Sequence, residues 1–106
     1  MSAMEHMVFR ALADPTRREI LMLLKQSDMT IAEVAENFQM TRAAIKKHLT
    51  ILTDGGLIVT RVEGRARINA LEPQGMQHVF DWLSYFDTFW DDRLSALKSA
   101  IEEDMK

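Results

Sequence analysis

Hydrophobic residues recur at helical spacing through the first half of the chain, interrupted by turn and capping residues. The spacing predicts helices over residues 4–12, 15–25 and 31–38 and from Thr41 to about Thr53. Asp14-Pro15 favours a helix start, because Asp can cap a helix and Pro is tolerated at its first position. Thr30 and Glu33 form a capping-box pattern, and Gly55-Gly56 is typical of a helix end.

After these helices the spacing of the hydrophobic residues changes from helical to alternating. Residues 57–62 and 66–71 are predicted strands, and Glu63-Gly64-Arg65 predicts a hairpin with glycine at its tip. Helical spacing returns at Gly75 and predicts one long helix to about Glu102. The expected fold class is mainly α with a β-hairpin wing. It is a single winged helix-turn-helix domain over residues 1–106, in the order α-α-α-α-β-β-α, with dimerisation helices at both ends.

The net charge of −3 argues against a nucleic-acid-binding protein only until it is divided along the chain. Residues 41–71 carry six basic and two acidic side chains, a local charge of +4. Residues 1–40 carry four basic and six acidic side chains, and residues 72–106 carry three and eight. Because affinity for phosphate depends on local cation density, the middle segment is predicted to bind double-stranded DNA.

The fourth predicted helix is the expected recognition helix, whose N-terminal residues would lie against base edges in the major groove. Arg42 is the best candidate for reading guanine, because its planar fork can contact O6 and N7 together. Ala43 is small enough to approach a thymine methyl, whereas the later polar residues suit phosphate. The predicted DNA-binding residues are Thr41, Arg42, Ala43, Lys46, Lys47, Thr50, Arg65 and Arg67. The role of Arg61 depends on the hairpin register, which the sequence leaves open.

The last predicted helix carries a broad apolar stripe rich in aromatic residues, and the first helix is apolar on most sides. Exposed apolar surfaces of this size usually mark an interface, so a two-fold homodimer with these helices as its seam is expected. The predicted interface residues are Met4, Val8, Phe9, Trp82, Phe86, Phe89, Trp90 and Leu94. The alternative is an aromatic ligand pocket in the same seam.

Three stretches resemble the ArsR/SmtB family of winged-helix repressors: FRALADPTRREIL at residues 9–21, AAIKKHLTILTDGGLI at 43–58 and VEGRARINAL at 62–71. The stretch WLSYFDTFWDDRLSAL at 82–97 is similar to a cysteine-free subgroup that includes sporulation-delay-type repressors. The resemblance implies a dimeric repressor that binds imperfect inverted repeats and releases DNA when an effector arrives. It also implies DNA-facing roles for Thr41, Arg42, Lys46 and Lys47 and a wing tip at Gly64-Arg65.

The chain departs from its metal-sensing relatives at the positions of their ligands. Those relatives carry a Cys-x-Cys pair where this chain has Thr30-Ile31-Ala32, or zinc ligands on the last helix, where it has His78 and scattered aspartates. Zinc requires about four ligands, so neither a metal site nor a cofactor is predicted. A metal-responsive repressor with a non-cysteine site stays an alternative, and a small-molecule or protein effector is left open.

Other function classes have less support in the sequence. It shows no nucleophile–base pattern, phosphate-cradling glycine loop or paired carboxylates, so no catalytic residues are predicted and an enzyme is not expected. The lack of cysteine, of a signal-peptide pattern and of a membrane-length apolar run favours the cytoplasm. A winged helix that binds protein instead of DNA is the second alternative.

Overall fold

The computed structural model describes residues 2–105. In chain order its elements are α1 (Ala3–Leu12), α2 (Pro15–Gln26), β1 (Met29–Thr30), α3 (Ile31–Ala35), α4 (Arg42–Asp54), β2 (Ile58–Glu63), β3 (Ala66–Leu71), α5 (Pro73–Ser84) and α6 (Asp87–Asp104). Four helices, a hairpin and a C-terminal helical segment thus follow the predicted order. No helix within the described range is long and apolar enough to cross a membrane.

The predicted caps are confirmed at α2, α3 and α4. The carboxylate of Asp14 accepts the backbone N–H groups of Thr16 and Arg17 at 2.8 and 3.2 Å, and Thr30 and Glu33 form the reciprocal capping box. At the end of α4, Gly56 has a φ of +73°, and the N–H of the next residue donates to the carbonyl of the residue five back. This is the Schellman ending that glycine favours, and it turns the chain sharply from α4 into β2.

The sheet has three antiparallel strands in the order β1-β3-β2. β2, β3 and their turn form the predicted hairpin, hereafter the wing, with Gly64 at a φ of +61°. β1 was not predicted, because two residues give no alternation that a sequence pattern can reveal. It pairs with β3 through the register Met29↔Asn69, and the buried Asn69 side chain also donates to the Met29 carbonyl at 3.2 Å.

The core lies between α1, α2, α3, α4 and the start of the wing. Its fully buried large side chains come from every one of these elements: Val8, Ile20, Val34, Ile45, Leu52, Leu57 and Ile58. Val8, expected in the dimer seam, has no exposed surface in the chain. It packs the chain's own core because α1 buries one face against α4, so the expectation that it faces a partner is corrected.

Two helix boundaries differ from the prediction, and a side chain accounts for each. The predicted helix 31–38 ends at Ala35. The side-chain amide of Asn37 donates to the backbone carbonyl of Glu33, which in a continuing helix would accept the backbone N–H of Asn37. The predicted helix from Gly75 to Glu102 is two helices. The Ser84 hydroxyl donates to the Asp81 carbonyl at 2.6 Å, and the N–H of Tyr85 turns to Trp82 instead. Neither break contains proline or glycine, the usual signals.

α5 and α6 are hereafter the C-terminal arm, and the rest of the chain is the body. α5 packs against the body through Trp82 and Val79, and α6 extends beyond it. The molecule measures 65 × 32 × 23 Å, and its radius of gyration is 18.7 Å. A compact domain of this length has a radius of gyration of roughly 13 Å. Gly75 is the arm's one buried residue within the described chain, and α6 contains none.

Candidate nucleic-acid interface

α4 presents a polar ridge to solvent and a hydrophobic stripe to the core. Ile45, Leu49 and Leu52 form the buried stripe, while Thr41 caps the helix by accepting the N–H of Ala44 at 3.1 Å. The exposed ridge consists of Arg42, Ala43, Lys46, Lys47 and Thr50, all among the predicted DNA-binding residues. The helix therefore leaves its small and basic side chains free for a surface that approaches from outside.

One flank of this ridge is a groove of about 360 Å³ between α4 and the wing, hereafter the wing groove. Lys46 and Thr50 line it from α4, and Arg67 lines it from β3. Its apolar floor is formed by Ile31 and Leu49. The structure thus brings Arg67 beside the ridge, while Arg65 lies exposed in the turn of the wing.

Arg61, whose role the sequence left open, is held by two carboxylates. Its Nη1 donates to Asp28 at 2.6 Å, and its Nε donates to Glu63 at 2.8 Å. The bonds to Glu63 and Asp28 raise the pKa of Arg61 above its ordinary value. Since both carboxylates hold its guanidinium, Arg61 ties the wing to the α2–β1 turn.

The remaining basic residues of the segment are not neutralised in this way. Among residues 2–105, no carboxylate lies within ion-pair distance of Arg42, Lys46, Lys47, Arg65 or Arg67. Thr50 has a more limited role than its position suggests, because its hydroxyl donates to the Lys46 carbonyl at 3.0 Å. In this geometry the hydroxyl can accept a hydrogen bond but has no proton left for a phosphate.

Sequence reasoning missed Arg17, the buried cation behind the recognition helix. Its Nε donates to the Ala11 carbonyl at 2.8 Å, and its Nη2 donates to the Arg10 carbonyl at 3.0 Å. Its Nη1 lies 3.3 Å from Nδ1 of His48 on α4. Because a guanidinium can only donate, this contact requires an unprotonated Nδ1. Arg17 lies three residues before the buried Ile20, and that spacing was the available signal.

Asp14 completes this junction at the start of α2. Burial raises its pKa, but the backbone N–H groups of Arg17 and Thr16 and the nearby Arg17 guanidinium outweigh that effect. The pKa of Asp14 therefore lies below its ordinary value of 3.8. The carboxylate caps α2 while facing the guanidinium that joins α1, α2 and α4, so the recognition helix is fixed to the two helices behind it.

Comparison with known proteins shows to which protein family the chain belongs. Residues 14–60 match the family described as bacterial regulatory protein, arsR family. The chain is 38% identical over 79 residues to the transcriptional repressor SdpR of Bacillus subtilis, a match that covers 74% of this chain and 88% of that protein. The chain belongs to the arsR family. The predicted resemblance is thereby confirmed.

Solved structures of the arsR family confirm the winged helix-turn-helix fold. An ArsR-like transcriptional regulator from Rhodococcus is 33% identical, with a TM-score of 0.73 over 92% of each chain. The homodimeric winged helix-turn-helix DNA-binding domain of a possible ArsR-family regulator from Mycobacterium bovis is 25% identical. Its TM-score is 0.66, and the match covers 80% of this chain and 79% of that one.

This arsR-family chain does not assemble the ligand clusters that metal-sensing relatives were expected to carry. Within residues 2–105, no group of three or more histidine, cysteine, aspartate or glutamate side chains is placed to hold a metal ion. His78 lies on α5, whereas Asp87, Asp91 and Asp92 lie beyond the break on α6. The helix break therefore separates these three aspartates from His78, and Asp81 alone shares α5 with it.

Proposed function

We propose that this arsR-family protein is a dimeric transcriptional repressor that binds an imperfect inverted repeat through α4 and the wing. The observation that carries the proposal is the set of five basic residues on these two elements with no carboxylate partner in the described chain. Free cations on one surface release counterions when phosphate replaces solvent, so they supply affinity for duplex DNA. The exposed N-terminal turn of α4 supplies residues that can enter the major groove.

Arg42 and Lys47 have different expected roles at this surface. Arg42 is the first residue of α4 and is exposed there, where a recognition helix meets base edges. Lys47 lies more than a turn further on, where an ammonium serves better as a phosphate contact. We therefore assign sequence discrimination to Arg42 and general affinity to Lys47.

The arm supports the dimer in the proposal. The ring centroids of Phe9 and Trp82 lie 5.7 Å apart in an edge-to-face contact, and those of Trp82 and Phe86 lie 5.1 Å apart. The aromatic surface is therefore continuous between α1 and the arm. Trp90 and Leu94 carry this surface along α6 with 56% and 62% of their areas exposed. Pairing two such surfaces would bury them and hold two recognition helices about one DNA turn, or roughly 34 Å, apart.

The proposal is tested by measuring binding of the intact protein to duplex fragments selected from genomic DNA, over a series of salt concentrations. Affinity should fall steeply with salt. In a plot of log affinity against log salt concentration, each phosphate contact should add about 0.9 to the steepness of the slope. Arg42→Ala should lower the preference for selected over random duplex by about 1–3 kcal/mol. Lys47→Ala should weaken binding to both duplexes alike.

Two results would contradict the proposal. A flat salt dependence or no binding would favour the alternative of a winged helix that binds protein. If Arg42→Ala lowers the affinity for selected and random duplex equally, Arg42 does not read bases. Sedimentation of the unliganded protein completes the test, since a chain that stays monomeric at micromolar concentration contradicts the dimer.

A further inference from the structure

The second flank of the α4 ridge is a depression of about 690 Å³ between α4 and the adjoining ends of α1 and α2, hereafter the α1 groove. It lies opposite the wing groove, and the two share Lys46 and Thr50 on the crest of the ridge. Its lining is basic and contains no carboxylate: Arg10, Arg17, Ala43, Ala44, Lys46, Lys47, His48, Thr50 and Ile51. The recognition helix therefore stands between this basic groove and the wing groove, whose lining also includes Asp54.

Arg10 is an exposed cation of this groove, and the structure ties its backbone to Arg17 while its side chain stays free. Its backbone carbonyl accepts a hydrogen bond from Nη2 of Arg17. Nη1 of the same guanidinium contacts His48 on α4. Its side chain is exposed at the end of α1, with no carboxylate in ion-pair distance among residues 2–105. The backbone of Arg10 is thus tied to α4 through Arg17, while its side chain makes no ion pair within the described chain.

DNA geometry gives such a residue a role. A helix in the major groove has a phosphate backbone on each side, because two strands bound a groove that is about 12 Å wide. The wing groove offers Lys46 and Arg67 on one flank of α4, and the α1 groove offers Arg10 and Lys47 on the other. We propose that the α1 groove seats phosphates of the second strand and that Arg10 contacts one of them. This inference rests on the proposed DNA-binding function.

The test compares Arg10→Gln with wild type in the salt series on the selected and random duplexes. Each phosphate contact contributes about 0.9 to the logarithmic slope, so a dimer that loses two should have a slope lower by about 1.8. The loss should be similar on both duplexes, because phosphate carries no sequence information. The variant should fold normally, since Arg10 is bonded to Arg17 through its carbonyl and not through its side chain.

Lys25→Gln is the matched control, because it removes the same charge from an exposed residue that lines neither groove. It should leave the slope unchanged. If Arg10→Gln keeps the wild-type slope, or loses no more than Lys25→Gln, the α1 groove is not a phosphate site although the protein binds DNA. If wild type itself shows a flat slope, the proposed function fails. Sedimentation of Arg10→Gln must show the wild-type assembly, so that a smaller slope reports lost contacts and not a lost dimer.

Discussion

The body and the C-terminal arm use their hydrophobic residues in opposite ways. In the body, hydrophobic side chains from four helices and the wing meet in one core, and each of α1 to α4 begins at a side-chain cap. In the arm, large apolar residues remain exposed, and α6 begins at Phe86 with no side-chain cap. The body therefore contains what stabilises it, whereas the arm leaves a broad apolar surface exposed.

The largest expected effect comes from removing a leucine from each region. Leu52→Ala should cost about 2–5 kcal/mol of unfolding free energy, because its side chain is fully buried in the core and leaves a cavity. Leu94→Ala removes the same atoms from an exposed position on α6, so it should change the stability of the single chain by about 0.5 kcal/mol or less. Urea unfolding at two protein concentrations measures both variants.

In this experiment the two variants differ in how their loss of stability depends on protein concentration. Leu52→Ala should lower stability equally at both concentrations, since its contacts lie within one chain. Leu94→Ala should lower it only where the dimer forms, because association stabilises the folded state by mass action. A loss for Leu94→Ala that matches Leu52→Ala at both concentrations would place α6 inside the chain's own core and remove the contrast.

The second effect tests the point where the arm joins the body. A Cβ added to Gly75 would overlap the Gly56 carbonyl oxygen and lie 2.7 Å from its carbonyl carbon. Gly75→Ala should therefore destabilise the protein by about 1–3 kcal/mol through overpacking. In an open helix the same change stabilises by up to about 1 kcal/mol, so the sign of the effect is diagnostic.

Ser95→Ala is the control for this change, because Ser95 lies exposed in α6. It should leave the midpoint of thermal unfolding the same or slightly higher. If Gly75→Ala also raises the midpoint, α5 does not lie tightly against the α4–β2 turn. The arm would then be joined to the body by its chain connection and by contacts such as that between Phe9 and Trp82.

Local patterns were sufficient to predict most of the body. Capping residues and glycine positions act within four or five residues, so Asp14, the Thr30/Glu33 box and Gly55-Gly56 set their helix ends as expected. The breaks at Asn37 and Ser84 escaped prediction because each depends on which carbonyl a polar side chain selects. Such a choice depends on side-chain conformation, which composition does not reveal.

The candidate site was likewise predictable from the sequence only in part. The exposed ridge of α4 followed from helical periodicity alone, because the buried stripe fixes which residues face out. Arg61 and Arg17 required the tertiary structure. The partner of Arg61 at Asp28 lies 33 residues away, and the partner of Arg17 at His48 lies 31 residues away. No local spacing encodes these contacts, so the sequence overestimated the free charge of the wing and missed the α1 groove.

The smallest expected effect tests one of the side-chain caps at which the helices of the body begin. Asp14→Ala should cost about 1 kcal/mol at neutral pH, because it removes the acceptor for two N–H groups at the start of α2. The pKa of Asp14 is lowered by folding, so its charge stabilises the protein above pH 3.8. That contribution is lost as the pH falls through the lower, folded-state value. The difference between wild type and Asp14→Ala should therefore shrink in acid.

Glu102→Ala in the arm supplies the comparison for this last effect. Glu102 lies 4.0 Å from Lys98 in a pair whose side chains are 62% and 79% exposed. Such pairs contribute about 0.5 kcal/mol or less, so the variant should be indistinguishable from wild type at every pH. Denaturant unfolding between pH 3 and 7 measures both variants. A constant difference for Asp14→Ala across that range would mean that its carboxylate, as a charge, adds nothing to the cap. The cap would then act through its hydrogen bonds alone, which a protonated carboxyl can still accept from the N–H groups at the start of α2.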